Sequence, residues 1–152
     1  MDKIKHTFTV RQMKKEDAVR VAEIEKGIFS VPWSEKSFID ACTTPDNIYL
    51  VAEEDGEIAG YCGLWTVLGE GNITNMAVAE EYRQCGVGRM LMEAVEEAGR
   101  KKSVDIFFLE VRESNEAARH LYERMGYHNI GVRKRFYERP VENALVMSKI
   151  YV

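Results

Sequence analysis

A short loop that combines an arginine with two glycines, and leads directly into an amphipathic segment, constrains this chain more than any other feature. Its spacing is R-x-x-G-x-G, with Arg83, Gly86 and Gly88. A helix that begins here presents unpaired backbone N–H groups and the positive end of its dipole, and both favour a bound phosphate. The glycines let the backbone approach a pyrophosphate, because no Cβ stands in the way. The candidate residues for this anion site are Gln84, Cys85, Gly86, Val87, Gly88 and Arg89. The alternative, which the two glycines alone would favour, is a plain loop that precedes a helix.

Length and charge bound the class of protein. With 152 residues, we expect a single domain spanning residues 1–152. The 21 Lys and Arg residues against 25 Asp and Glu residues give a net charge of −4, which disfavours a nucleic-acid binder that relies on general basicity. No apolar run reaches the roughly 18 residues of a membrane span, and the first residues lack a signal-peptide core. The three cysteines and three histidines lack metal or disulfide spacing. These features predict a cytoplasmic protein without a metal, a nucleic-acid partner or a membrane partner.

Helical patterns of apolar residues alternate with strand patterns along the chain. Helices are predicted from Glu16 to near Gly27, from a Ser34 cap to about Cys42, after the glycine loop, and from a Ser114 cap to Gly126. The predicted strands are Thr7–Arg11, Asn47–Glu53, Ile58–Leu68, Asn72–Val78, Asp105–Val111, Tyr127–Arg133 and Ala144–Tyr151. Turn signals at residues 54–57 and 69–71 separate the three central strands. The order β-α-α-β-β-β-α-β-α-β-β predicts an α/β domain of mixed α and β structure, with a mixed sheet covered by helices.

This order and the glycine loop resemble the GNAT superfamily of acyl-CoA-dependent N-acetyltransferases, over nearly the whole chain. More narrowly, the chain resembles the RimI branch, the acetyltransferases of ribosomal-protein N-terminal alanine. The segments that carry the closer resemblance are Phe29-x-x-Pro32-Trp33-Ser34, Asn75-Met76-Ala77-Val78, Leu109-Glu110-Val111-Arg112-Glu113-Ser114-Asn115, Arg133-Lys134-Arg135-Phe136-Tyr137 and the tail from Pro140 to Met147. The resemblance implies the GNAT fold, with a mixed, mostly antiparallel sheet flanked by helices. It also implies acetyl-CoA as co-substrate and a protein N-terminus, in particular that of a ribosomal protein, as acceptor.

Two residues are candidates for the chemistry. Glu110 ends a strongly apolar strand, where an acidic residue is unexpected. The resemblance implies that Glu110 accepts the proton of the amine, whereas composition alone favours a surface pairing with Arg112. Tyr122 lies on the apolar stripe of the last predicted helix. The resemblance implies that its hydroxyl protonates the departing thiolate, whereas the residue pattern alone favours a core tyrosine that packs its ring.

Further residues are implied to bind the cofactor. Backbone groups of Met76, Ala77 and Val78 are implied to bind the pantetheine arm like an added strand, with one N–H that polarises the thioester carbonyl. Asn115 matches a cofactor-contacting asparagine, and local capping of the helix is the alternative.

The acceptor groove is implied to lie between two segments. Its walls are expected to include Pro32, Trp33, Tyr137 and Glu142. For Trp33 the alternative is a hydrophobic staple between the first two helices.

The sequence departs from the RimI pattern at three positions. Cys85 stands where that branch has glutamine or another polar or small residue, which places a thiol beside the cofactor. Asn143 stands where aspartate is common, and Phe136 where tyrosine often occurs. The last two changes bear on substrate preference rather than on the cofactor.

Other functions compatible with the same fold stay open. One alternative is an acceptor amine on a lysine side chain or a small molecule. A second is acyl-CoA binding without catalysis, which the presence of both Glu110 and Tyr122 disfavours. A nucleotide-binding P-loop is disfavoured, because no Gly-Lys-Ser/Thr follows the glycines.

Overall fold

The computed structural model describes residues 5–151, which form four α-helices and seven strands. The helices are α1 (Ala18–Ile28), α2 (Glu35–Cys42), α3 (Val87–Lys101) and α4 (Glu116–Arg124). The strands are β1 (Thr9–Gln12), β2 (Asn47–Glu54), β3 (Glu57–Val67), β4 (Glu70–Val78), β5 (Ile106–Arg112), β6 (His128–Tyr137) and β7 (Glu142–Ile150). Their order along the chain is the predicted one, and the bounds of individual elements differ by a few residues.

The seven strands form one sheet with the spatial order β1-β2-β3-β4-β5-β7-β6. Every neighbouring pair is antiparallel except β4 and β5, which run parallel. Parallel neighbours need a crossover connection, and α3 supplies it between the end of β4 and the start of β5. The structure confirms the predicted class, with a mixed, mostly antiparallel sheet flanked by helices.

Helices α1 and α2 lie on one face of the sheet, and α3 lies on the other. On the first face, Tyr61 of β3 contacts Phe38 of α2 edge-on, with ring centroids 5.5 Å apart. Successive residues of a strand point to opposite faces. Gly60 accordingly points to α3, since a Cβ at this position would lie 3.1 Å from the Leu91 side chain. The two faces are called the α1–α2 face and the α3 face below.

Helix α4 lies beside the start of α3 on the α3 face. A Cβ on Gly88, in the first turn of α3, would lie 3.4 Å from Leu121 of α4 and 3.2 Å from the end of the Met76 side chain in β4. The first turn of α3 and the middle of α4 therefore flank the same part of the sheet. None of the helices within residues 5–151 has the length and apolar character needed to cross a bilayer.

Local sequence signals set several boundaries. The Ser34 hydroxyl accepts the backbone N–H of Ser37 at 3.1 Å, which confirms the predicted cap of α2. Trp33 precedes this cap and contacts Phe38, with ring centroids 5.3 Å apart. This is a hydrophobic staple, the alternative that the sequence left open for Trp33. Gly126, with φ of +96°, ends α4 as predicted.

The predicted cap of α4 is wrong. Asn115, not Ser114, caps this helix, and its side-chain oxygen accepts the backbone N–H of Ala118 at 3.2 Å. Ser114 is held outside the helix because its own N–H donates to the Glu142 carboxylate at 2.6 Å. Local capping of the helix, the alternative that the sequence left open for Asn115, is therefore present in the structure.

The predicted turn between β3 and β4 is displaced. The turn residues are Leu68 and Gly69, with φ of +46° and +85°, and residues 70–71 already belong to β4. A two-residue hairpin of this type needs two successive residues with positive φ. The preceding hairpin has the same form at Asp55 and Gly56, with φ of +51° and +80°, as its sequence predicted.

Candidate active site

A gap opens in the middle of the sheet where β4 and β5 separate. The two strands are in register from Glu70 and Ile106 to Ile73 and Leu109, and no further. Beyond this point β4 stays paired with β3, and β5 stays paired with β7. Residues 75–78 therefore line one side of the gap, and residues 110–112 line the other.

A bulge in β4 marks the point of separation. Leu64 of β3 pairs with Ile73, whereas the adjacent Gly63 pairs with Asn75, so Thr74 is an extra residue in β4. A bulge bends its strand and increases the local twist. It accompanies the divergence of β4 from β5.

The backbone of β4 offers free hydrogen-bonding groups to this gap. The N–H of Ala79 donates to Ala59 of β3 at 2.7 Å. Backbone groups alternate between the two edges of a strand, so Ala77 also faces β3, while Met76 and Val78 face the gap. Of the three predicted backbone contacts, this geometry brings Met76 and Val78 to the gap and leaves Ala77 paired within the sheet.

Glu110 approaches the gap from the α1–α2 face. Its neighbours Leu109 and Val111 are buried on the α3 face, and the alternation of β5 turns Glu110 the opposite way. The side chain is 34% exposed, and its carboxylate lies 3.2 Å from Nε of Arg133 on β6. The expected alternative partner, Arg112, pairs instead with Glu142 at 3.2 Å.

Tyr122 approaches the same region from α4, on the α3 face. Its side chain is buried, with 7% of the residue exposed, and its ring contacts Tyr127 with centroids 6.0 Å apart. Within the described residues the Tyr122 hydroxyl forms no hydrogen bond to a protein group. Burial raises the pKa of this phenol well above its usual value, and the neighbouring Cys62 and Tyr137 raise it further. A phenol with the ordinary pKa of about 10 is already protonated at neutral pH, so the Tyr122 hydroxyl carries its proton there.

The predicted anion loop has the required geometry. Gln84 and Gly86 adopt left-handed φ values of +62° and +83°, and α3 begins at Val87. The first backbone hydrogen bond of the helix runs from the Met90 N–H to the Gly86 carbonyl at 3.1 Å. In the described part of the chain, the N–H groups of residues 85–89 donate to no protein group. This cluster of amides is open to an anion.

The charged side chains around the loop are exposed to solvent. Arg89 is exposed and pairs with Glu93 one turn along α3 at 2.9 Å. Arg83 is also exposed. Cys85 is a free, half-buried thiol whose Sγ lies 3.5 Å from the Arg83 carbonyl oxygen.

The acceptor side is organised by Arg112. Its guanidinium lies over the Tyr137 ring, 4.4 Å from the centroid, and donates to the Glu138 carbonyl at 3.0 Å and to the Ser30 hydroxyl at 3.4 Å. These contacts join the α1–α2 connection, which carries Ser30, to the β6–β7 connection, which carries Glu138. The sequence suggested Arg112 only as a surface partner of Glu110; its position two residues after Glu110, on the same strand face, was the available signal for a role at the site.

Of the four residues predicted to wall the acceptor groove, Tyr137 and Glu142 contact Arg112 at this junction, whereas Trp33 contacts Phe38 and Trp65. Tyr137 is half-buried, and burial together with the negative charge of Glu110 raises its pKa to about 12. Hydrogen bonds from Ser114, then the charge of Arg112, lower the pKa of Glu142, whose carboxylate is engaged by both. Pro32 is exposed, and the adjacent Trp33 is half-buried by its contact with Phe38.

The open amides, the free strand edge and the gap are typical of a class of α/β proteins whose divided sheet suits an extended, phosphate-bearing ligand. Residues 18–127 match the model of the acetyltransferase (GNAT) family. A relative from Bacillus subtilis is 40% identical over 145 residues, which cover 95% of this chain and 96% of that protein. The chain belongs to the GNAT family of acetyltransferases.

Solved structures share this fold. The ribosomal-protein-S18-alanine N-acetyltransferase from Escherichia coli is similar with a TM-score of 0.89 and 30% identity, over 96% of each chain. The structure of Arabidopsis thaliana NAA60 in complex with acetyl-CoA is similar with a TM-score of 0.86 and 20% identity, over 95% of this chain and 98% of that one.

Proposed function

We propose that this chain is an acetyl-CoA-dependent N-terminal acetyltransferase that acetylates the N-terminal alanine of the small-subunit ribosomal protein bS18. The observation that carries the proposed chemistry is the β4–β5 gap, which Glu110 approaches from the α1–α2 face and Tyr122 from the α3 face. The acceptor is supported by the name of the similar E. coli enzyme, which is 30% identical over almost the whole chain. A ribosomal acceptor implies a cytoplasmic location.

The open backbone groups fit acetyl-CoA as the donor. The amides of residues 85–89 suit the diphosphate, because they combine unpaired N–H groups with the positive end of the α3 dipole. The free edge of β4 at Met76 and Val78 suits the amide groups of the pantetheine arm, which can pair there like an added strand. An N–H on this edge would stabilise the negative charge that develops on the thioester oxygen. Asn115, exposed at the start of α4, is a further polar group for the cofactor.

Glu110 is the proposed base. An α-amine with a pKa of about 7.7–8.0 is neutral in roughly a tenth of molecules at pH 7, whereas a lysine amine near 10.4 is neutral in about 0.04%. An N-terminal acceptor therefore needs only modest help. A carboxylate that accepts the amine proton through a water molecule is sufficient, and the partly exposed Glu110 leaves room for that water.

Tyr122 is the proposed acid. The sulfur of coenzyme A leaves as a thiolate and needs a proton. The Tyr122 phenol is protonated at neutral pH, as a phenol with an ordinary pKa of about 10 already is, and burial raises its pKa further. Its hydroxyl has no competing protein partner among residues 5–151. Base and acid would then act from opposite sides of the reacting thioester.

The acceptor peptide is proposed to lie between the α1–α2 and β6–β7 connections. Pro32, Trp33 and Tyr137 offer apolar surface for a chain terminus. Glu142 acts there by fixing Arg112 and the Ser114 backbone, since its carboxylate is committed to those groups. The wall is thus shaped by a connected set of polar contacts.

Transfer of labelled acetyl from acetyl-CoA to short peptides tests the proposal. One set of peptides carries the bS18 sequence with different first residues, and a second set has blocked N-termini and internal lysines. We expect fastest transfer to the alanine-starting peptide. Faster transfer to the lysine peptides or to small amines would show that the acceptor is not a protein N-terminus. Binding of acetyl-CoA without transfer to any amine would show that the chain is a binding protein rather than an enzyme.

A further inference from the structure

We propose that Glu25, a carboxylate of α1 buried under the α1–α2 connection, is a positioning residue that fixes the acceptor-groove wall against the cofactor strand β4. The catalytic role of Glu25 rests on the proposed function, whereas its hydrogen bond to Trp33 does not depend on that function. Glu25 is 3% exposed, and the mechanism above makes no use of it.

The two oxygens of Glu25 contact different elements. Oε2 accepts the backbone N–H of Trp33 at 2.6 Å, in the connection that also carries Pro32. Oε1 accepts the Tyr61 hydroxyl at 2.7 Å and lies 3.5 Å from the side-chain nitrogen of Asn75 in β4. One carboxylate thus joins the acceptor side to the strand that lines the gap.

The Glu25 contact to β4 lies where the strand edge becomes free to bind the cofactor. Asn75 follows the bulge at Thr74 and precedes Met76, whose backbone faces the gap. Tyr49 supports the bulge from the other side, with its hydroxyl 3.1 Å from the Thr74 hydroxyl and 3.3 Å from the Asn75 side-chain oxygen. Glu25 therefore holds a wall of the acceptor groove and the start of the free β4 edge in one network.

The burial of Glu25 is hard to explain by stability alone. Within residues 5–151 no cationic group lies within ion-pair distance of its carboxylate. Glu25 also occupies the last turn of α1, where the helix dipole disfavours a negative charge. Buried carboxylates are costly, and their retention is explained when they fix a specific arrangement. The arrangement fixed here is the backbone position of Trp33.

Variants of Glu25 test this role. Glu25→Asp keeps the charge but is one methylene shorter, so it cannot reach Trp33 and Tyr61 together. We expect the KM for the acceptor peptide to rise about tenfold, with the Kd for acetyl-CoA within about twofold of wild type. Glu25→Gln keeps the length and an oxygen for the Trp33 N–H, while its amide can donate to Tyr61. We expect this variant to restore the peptide KM to within about threefold of wild type.

Amide hydrogen exchange supplies a readout that does not depend on catalysis. The Trp33 N–H should exchange at least about tenfold faster in Glu25→Asp than in the wild type and Glu25→Gln proteins, because its acceptor is withdrawn. If wild-type protein transfers acetyl to no α-amine, the proposed function fails, and this exchange rate still decides whether Glu25 fixes the loop.

Glu96 offers a matched control. It is also 3% exposed and accepts hydrogen bonds from Tyr127 at 2.9 Å and Lys149 at 2.7 Å, but it lies on α3. Glu96→Gln should lower the free energy of unfolding without changing the peptide KM or the Trp33 exchange rate. The positioning role is overturned if Glu25→Asp leaves both quantities at their wild-type values, or if Glu96→Gln changes them equally.

Discussion

Ile73 and Leu109 are the last residues at which β4 and β5 stay in register, and both lie at the inner end of the gap. One residue beyond Leu109, Glu110 turns toward the α1–α2 face. Three residues beyond Ile73, Met76 presents its backbone to the open space. The separation of two parallel strands at this pair thus creates both the free strand edge and the position from which the proposed base acts.

Replacement of Tyr122 by Phe should lower kcat by about 10²-fold, at the lower end of what a general acid contributes, because a thiolate is a good leaving group. The free energy of unfolding should change by less than about 0.5 kcal/mol, since the hydroxyl has no protein partner within the described residues. Steady-state kinetics and urea unfolding measure the two effects. The control is Tyr127→Phe, which removes a hydroxyl bonded to Glu96 and should cost stability but not turnover. Wild-type turnover in Tyr122→Phe would exclude the acid role.

Glu110→Gln should lower kcat/KM for the α-amine by at least about tenfold while the Kd for acetyl-CoA stays unchanged, because only proton acceptance is lost. Stability should hardly change, since the ion pair with Arg133 is partly exposed. Arg133→Gln removes the same ion pair and keeps the carboxylate, so its turnover should remain near wild type. Equal losses in the two variants would assign the effect to the ion pair rather than to a base.

Gly86→Ala and Gly88→Ala should separate loop geometry from ligand contact. Gly86 has φ of +83° with open space around it, so alanine there strains the backbone, costing about 1 kcal/mol of stability. Gly88 has no such φ, and an added Cβ would meet the flexible end of Met76 at 3.2 Å, in the space between α3, α4 and β4. We expect Gly88→Ala to fold normally and to bind acetyl-CoA more weakly. Thermal unfolding and isothermal titration distinguish these outcomes, and unchanged affinity in both variants would contradict a diphosphate site at this loop.

The order of elements was predictable from sequence because each helix and strand carries its own apolar period. The loop at Gly86 and the staple at Trp33 were also readable, since both depend on neighbours close in sequence. The β4–β5 gap was not, because the bulge at Thr74 is defined only by pairing with β3.

Partners of charged residues were the least predictable part of the site. Glu110 pairs with Arg133 from a distant strand, although Arg112 is two residues away on the same strand face. Sequence spacing cannot decide such a choice, because it depends on how β5, β6 and β7 are brought together. The buried Glu25 escaped notice for the same reason: its donors come from β3, β4 and the α1–α2 connection.

Stability should fall at alkaline pH. Burial raises the pKa of seven tyrosines above 10: Tyr49, Tyr61, Tyr82, Tyr122, Tyr127, Tyr137 and Tyr151. Above pH 10 the unfolded chain releases these protons while the folded chain keeps them, so the unfolded state is favoured as pH rises. In urea unfolding, the contribution of these groups to the free energy of unfolding should stay constant up to about pH 9. It should decline from about pH 10 to 11. Tyr61→Phe should make the decline shallower; a stability that is flat to pH 11 would contradict the raised pKa values.

Gly63→Ala should destabilise the protein by about 1–3 kcal/mol through overpacking. A Cβ on Gly63 would overlap the ring of Tyr49. That ring cannot easily move, because its hydroxyl is held by Thr74 at 3.1 Å and accepts the Trp65 indole N–H at 2.9 Å. Gly131→Ala is the control, since a Cβ there meets nothing within 4 Å and the expected change is below about 0.5 kcal/mol. Tyr49 also supports the bulge at Thr74, so Gly63→Ala should raise the peptide KM at temperatures where the variant is fully folded. An unchanged KM would show that the bulge tolerates displacement of the Tyr49 ring.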